Sequence, residues 1–97
     1  MKAHEIANKA ASLISGDRAD QHGDKLKNHE NIATMWNAYL QIRKEPATSL
    51  NGFDVAVMMS LLKVARMQTG AFNIDDAIDA VGYLSIVGEL NERKMTC

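Results

Sequence analysis

Apolar residues in this chain recur at intervals of three and four along four separate runs, and nowhere do they alternate with polar ones. That spacing belongs to helices and not to strands, so the sequence predicts an all-α fold. The first run covers residues 4 to 15 (Ile6, Ala7, Ala10, Ala11, Leu13, Ile14) and stops at Gly16. The second follows Asn28 with Ile32, Met35, Trp36, Tyr39 and Leu40, and Pro46 ends it near Glu45. The third opens at Asn51, placed to cap it with Asp54 three residues on, and runs to Gly70. The fourth opens at Asn73 with Asp75 and Asp76 in its first turn, and keeps its period to about Leu90.

With 97 residues, one proline and an apolar fraction of 46%, the chain is sized for one domain. We therefore expect a single helical domain over 1–97, a bundle of about four helices with a polar connector at 16–29 and a frayed tail at 91–97. The first half of the third helix, Phe53 to Leu62, is apolar around most of its circumference, more than four short helices need to bury. Part of it, with Met58 and Met59, is expected to face a second copy, which makes the protein a homo-oligomer. Gly82 and Gly88 lower the helix propensity of the fourth run, and the expectation is a neighbouring helix crossing tightly there.

Several functions are disfavoured. The 11 Lys and Arg stand against 12 Asp and Glu, a net charge of -1, so the diffuse basic surface of a nucleic-acid binder is absent. The longest uncharged stretch, Val55 to Leu62, is too short to cross a bilayer, and the N-terminus lacks the apolar region of a secretory signal. The expected compartment is the cytoplasm. Cys97 is the single cysteine, which disfavours a disulfide framework, and no nucleophilic triad can be nominated from spacing.

Three charged constellations carry what chemistry the residues offer. Asp75, Asp76 and Asp79, with Tyr83, lie within about a 100° arc of the fourth helix, where like charges repel unless a Mg²⁺ ion or a cationic side chain joins them. The plain alternative is that Asp75 and Asp76 serve the helix N-terminus while Asp79 meets an arginine from elsewhere. Lys63 and Arg66 are one turn apart on the third helix, suited to one phosphate, or equally to the negative end of their own helix; Asp54 on the same helix reads as a cap before it reads as a ligand. The connector gathers Arg18, Gln21, His22, Gly23, Asp24, Lys25, Asn28 and His29, donors and acceptors enough to wrap a nucleotide or simply to be solvated. No phosphate-loop or zinc-hydrolase spacing is present. Trp36 and Tyr39, at i and i+3, read as core, with base stacking as the alternative.

Taken together, RADQHGD (Arg18 to Asp24), IATMWNAYL (Ile32 to Leu40), DVAVMMSLLKVAR (Asp54 to Arg66) and DDAIDAVGYL (Asp75 to Leu84) resemble a family of small phage and prophage proteins, over roughly residues 16 to 90. That resemblance implies no particular activity. DDAIDAVGYL is also distantly similar to the last helix of the all-α nucleoside triphosphate pyrophosphohydrolases of the MazG-like superfamily, which implies Mg²⁺ held by acids on two neighbouring helices. Asp76 and Asp79 stand where that family has its acidic pair, but its EExxE cluster is replaced here by one acid, Asp54, among methionines and leucines. The expectation is thus a nucleotide-handling phage protein of the host cytoplasm: Asp76 and Asp79 as catalytic residues and, with Asp54, as Mg²⁺ ligands; Arg18, His22, Asp24, Lys63, Arg66 and Tyr83 as the ligand and phosphate contacts. Whether it is an enzyme is left open. The alternatives are a non-catalytic oligomer that sequesters a nucleotide-derived defence signal, or a helical adaptor that binds a protein.

Overall fold

The computed structural model describes residues 1–15 and 24–96, and arranges them as four helices: α1 (Ala3–Ser15), α2 (Lys25–Ile42), α3 (Gly52–Arg66) and α4 (Ile74–Thr96). Among the described residues there is no strand, and the fold is all-α and bundle-like, as the periodicity predicts.

Helix ends follow their capping chemistry more closely than their apolar pattern. Asn51 and Asp54 form a reciprocal capping box, the Asp54 N–H donating to Asn51 Oδ1 at 3.1 Å and the Asn51 N–H to Asp54 Oδ2 at 3.0 Å. The N–H of Asp75 donates to Asn73 Oδ1, so α4 starts where the sequence places it. The second helix starts earlier than Asn28 would allow. Its cap is Asp24, which accepts from the N–H groups of Leu26 and Lys27, so residues 25–29 of the expected connector are helical. Polar residues that face solvent carry no apolar period, which is why the pattern alone misses this first turn. For the same reason α4 continues past Leu90 to Thr96: Asn91 to Thr96 is rich in good helix formers with no apolar stripe, and the expected frayed tail is helical instead. α2 ends at Ile42, three residues short of Glu45, and α3 ends at Arg66, its last turn tightening through Gln68 N–H to Ala65 O; Gly70, at φ 69°, then takes the left-handed turn that leads to α4.

Packing order fixes the architecture. α3 lies between α2 and α4, antiparallel to both. Trp36 of α2 donates its indole N–H to the Met58 carbonyl at 2.7 Å, and Tyr39 its hydroxyl to Asp54. On α3, Asp54 and Met58 share one side, while Ser60 and Lys63 point about 180° away toward α4. α2, α3 and α4 therefore form a layer one helix thick. A layer has no enclosed centre, and its buried apolar residues are few and mostly small: Ile32, Ala56, Ala65 and Ala80. At the α3–α4 seam, Ser60 Oγ donates to the Ala56 carbonyl at 3.0 Å and reaches the Ala80 carbonyl at 3.5 Å, so small residues let the axes approach. Met58 and Met59 are half-buried against their own chain, while Val55 and Val64 on the two flanks of α3 are exposed. Among the described residues the tight crossing expected at Gly82 and Gly88 is not made: a Cβ at either would meet nothing within 4 Å. No residue of α1 is buried.

Candidate functional site

Because α3 and α4 run antiparallel, the basic last turns of α3 lie beside the acidic first turns of α4. Lys63 Nζ sits 2.9 Å from Asp79 Oδ2, and Arg66 Nε sits 3.6 Å from Asp76 Oδ1. Four residues that the sequence nominates separately thus meet on one seam. Asp76 is buried and Asp79 has 47% of its side chain exposed, so one carboxylate faces water and the other does not. The cation expected to answer Asp79 is present, and it is a lysine. Tyr83, one turn beyond Asp79, is half-buried.

Asp54 belongs elsewhere. Twelve residues separate it from Arg66 along α3, about 18 Å of helical rise, so Asp54 does not converge with Asp76 and Asp79. Its own partners had not been read from the sequence: Tyr39 donates to Oδ1 at 2.5 Å and Arg43 Nη1 donates to Oδ2 at 2.9 Å. Arg43 and Asp54 keep only 8% and 7% of their side chains exposed. Arg43 also donates through Nη2 to the Thr48 carbonyl, which ties the α2–α3 turn to the pair, while its Nε is buried without a partner. The Tyr39 hydrogen bond, with help from the Asn51 N–H and the Arg43 charge, holds the Asp54 carboxyl below its usual range despite the cost of burial. Burial first, and then donation to the carboxylate, push the Tyr39 phenol up to about 12. Tyr39 and Arg43 are one turn apart, and two hydrogen-bonding side chains at i and i+4 beside the apolar face of α2 were the available signal. Trp36 and Tyr39 are thereby committed to the α2–α3 contact, as the core reading expects. The groove beside this cluster, about 590 Å³, is lined by Arg43, Asn51, Phe53, Asp54 and Leu90 among others.

Among the described residues no group of three His, Cys, Asp or Glu side chains is placed to hold an ion, and Asp76 and Asp79 each already face a cation. Asp24 serves as the α2 cap. Arg18 and His22 lie outside the described residues. The eight residues back along α2 from Trp36 to Asn28 and the eight forward along α3 from Met58 to Arg66 cover the same rise, so the end of the layer that holds Arg66 and Asp76 is also the end at which α2 begins. Asn28 is buried there, and its Oδ1 has no hydrogen-bond partner.

Residues 5–91 match the family described as "Domain of unknown function (DUF6378)". The chain is 38% identical over 85 residues to the "Gene 55 protein" of Mycobacterium phage L5, covering 88% of this chain and 51% of that one. It is 31% identical over 90 residues to the "Gene 55 protein" of Mycobacterium phage D29, covering 93% and 56%. The chain thus spans about half the length of these relatives. No solved structure matches it, and these matches lend no support to the similarity with the MazG-like enzymes. With matched residues running from α1 into α4, the chain belongs to the DUF6378 family, which it shares with mycobacteriophage proteins.

Proposed function

We propose that the protein is an oligomeric phage protein that binds a nucleotide-class anion, in the cytoplasm of its host, without altering it. The observation that carries this reading is the meeting of Lys63, Arg66, Asp76 and Asp79 on one seam, at the end of the layer where α2 begins. Two cations one turn apart suit a phosphate group, and neighbouring carboxylates suit sugar hydroxyls. Lys63 would exchange Asp79 for the phosphate, a small loss because the released carboxylate is half exposed and can return to water.

The catalytic alternative is a Mg²⁺-dependent pyrophosphohydrolase in which Asp76 and Asp79 hold the metal and the attacking water. The pairing of both acids with cations, and the distance to Asp54, weigh against it. The apolar surface left on α1 and α4 favours a further reading, a protein-binding adaptor.

One assay separates the three. The protein is incubated with ribo-, deoxyribo- and cyclic nucleotides, with and without Mg²⁺, and scored for thermal shift and for product. The expected result is a shift with intact nucleotide recovered, reduced in Lys63→Met. Metal-dependent pyrophosphate release that Asp79→Asn abolishes would establish the enzyme instead. No response to any nucleotide would leave the adaptor.

A further inference from the structure

The described chain exposes more surface than a protein of its size ordinarily does. Its accessible area is 7238 Å², whereas a folded monomer of this mass is expected to expose about 5,500 Å². Its radius of gyration is 16.3 Å, against about 12.5 Å for a compact domain of this length. The excess, roughly 1,700 Å² per chain, is of the size that each partner of an obligate homodimer buries.

Two exposed helix faces contribute to it. On α1, Ile6, Ala10 and Leu13 fall at i, i+4 and i+7 and are exposed. A helix of 13 residues is marginal alone in water, so α1 needs a surface to pack on. On α4, Ile74, Ile78 and Val81 repeat the same spacing on the side opposite α3, and are also exposed. The two stripes are equally long, about 10 Å. They are also complementary in charge. Lys2 and Lys9 border the α1 stripe and Asp75 borders the α4 stripe, and α4 carries no base from Ile74 to Glu92.

We propose that α1 of one copy docks its Ile6–Leu13 face on the Ile74–Val81 face of α4 in a second copy, and that reciprocal exchange of the two helices closes a homodimer. The chain's own α1 is a poor occupant. α4 lies across α3 from α2, so a helix beyond α4 is about three interaxial spacings, roughly 27 Å, from α2 in a straight line and farther around the layer. The nine steps from Ser15 to Asp24 span about 30 Å when fully extended, little more than that straight line. This inference stands apart from the nucleotide reading, since neither stripe includes Lys63, Arg66 or Asp79.

Sedimentation equilibrium on the full chain tests it, with far-UV circular dichroism to check the fold of each variant. The wild type should be a dimer at micromolar concentration, and Leu13→Asp and Val81→Asp should each weaken it by about 30-fold or more. Val81 is 64% exposed within its own chain, so its substitution leaves the layer folded. In a Cys97→Ser background, Leu13→Cys chains mixed with Ile78→Cys chains should form a disulfide-linked dimer that neither forms alone. A monomeric wild type would overturn the proposal. So would assembly that survives Leu13→Asp, or a chain carrying both Leu13→Cys and Ile78→Cys whose disulfide forms only within single chains.

Discussion

Tyr39 and Asp54, fifteen residues apart in sequence, share a 2.5 Å hydrogen bond beside the Arg43 guanidinium, and together they lock α2 to the first turn of α3. The carboxylate is out of water, so its worth lies in having both partners. Arg43→Met leaves a buried charge uncompensated and should cost about 3–5 kcal/mol. Tyr39→Phe removes one hydrogen bond to a charged acceptor, a loss of about 1.5–3 kcal/mol. Urea denaturation checks both, and adding Asp54→Asn to Arg43→Met should recover part of the loss because the stranded charge is then gone.

The same cluster sets a pH window for stability. Asp54 has a folded-state pKa below its unfolded value, so its contribution is complete above about pH 4 and is lost as pH falls through the folded value. The Tyr39 phenol moves the other way, from 10 to about 12, so its neutral form is favoured by folding. Its contribution is complete below pH 10 and disappears as pH rises toward 12. Thermal melts across pH should show a plateau between these limits. In Tyr39→Phe the alkaline loss should shrink; in Asp54→Asn the acid loss should shrink.

What was legible in the sequence, and what was not, follows from how each feature is encoded. Helix existence is written into period and caps: Asn51 with Asp54, and Asn73 with Asp75, are local in sequence and were readable. Where α2 begins depended on Asp24, whose cap is followed by Lys25, Leu26 and Lys27 rather than by an apolar stripe. Pairing between helices is not local. Nothing in the spacing of Lys63 and Asp79 says that they meet; that follows from α3 and α4 being antiparallel in one register, in which Arg66 and Asp76 meet as well. The same register keeps Asp54 away from Asp76. An apolar α3 suggested a helix buried all round, yet two neighbours on opposite sides leave its flanks open.

The Lys63–Asp79 and Arg66–Asp76 pairs between α3 and α4 should differ in what they contribute. Lys63→Met breaks a pair whose acid is half exposed and should cost less than about 1 kcal/mol. Arg66→Met strands the buried Asp76 and should cost about 1–3 kcal/mol. Because Lys63→Met is structurally mild, it is also the clean probe for binding. A nucleotide-induced thermal shift that falls severalfold in Lys63→Met, with its apo stability near wild type, would place phosphate at the seam; an unchanged shift would remove Lys63 from the ligand.

Gly82 sits within α4 with open space where a side chain would project. Glycine costs a helix interior about 1 kcal/mol relative to alanine, through backbone freedom in the unfolded chain. Gly82 lies about 80° around α4 from Ile74, at the margin of its outer apolar stripe. If only the chain's own helices surround it, Gly82→Ala should stabilise by about 0.5–1 kcal/mol and raise the melting temperature by several degrees. Calorimetry at two protein concentrations makes the measurement discriminating. A gain at both concentrations means that the position stays open in the assembled protein. A loss that appears only at the higher concentration means that a second copy comes close enough to need the glycine, and it would extend the interface from the Ile74–Val81 stripe toward the Tyr83 side of the helix.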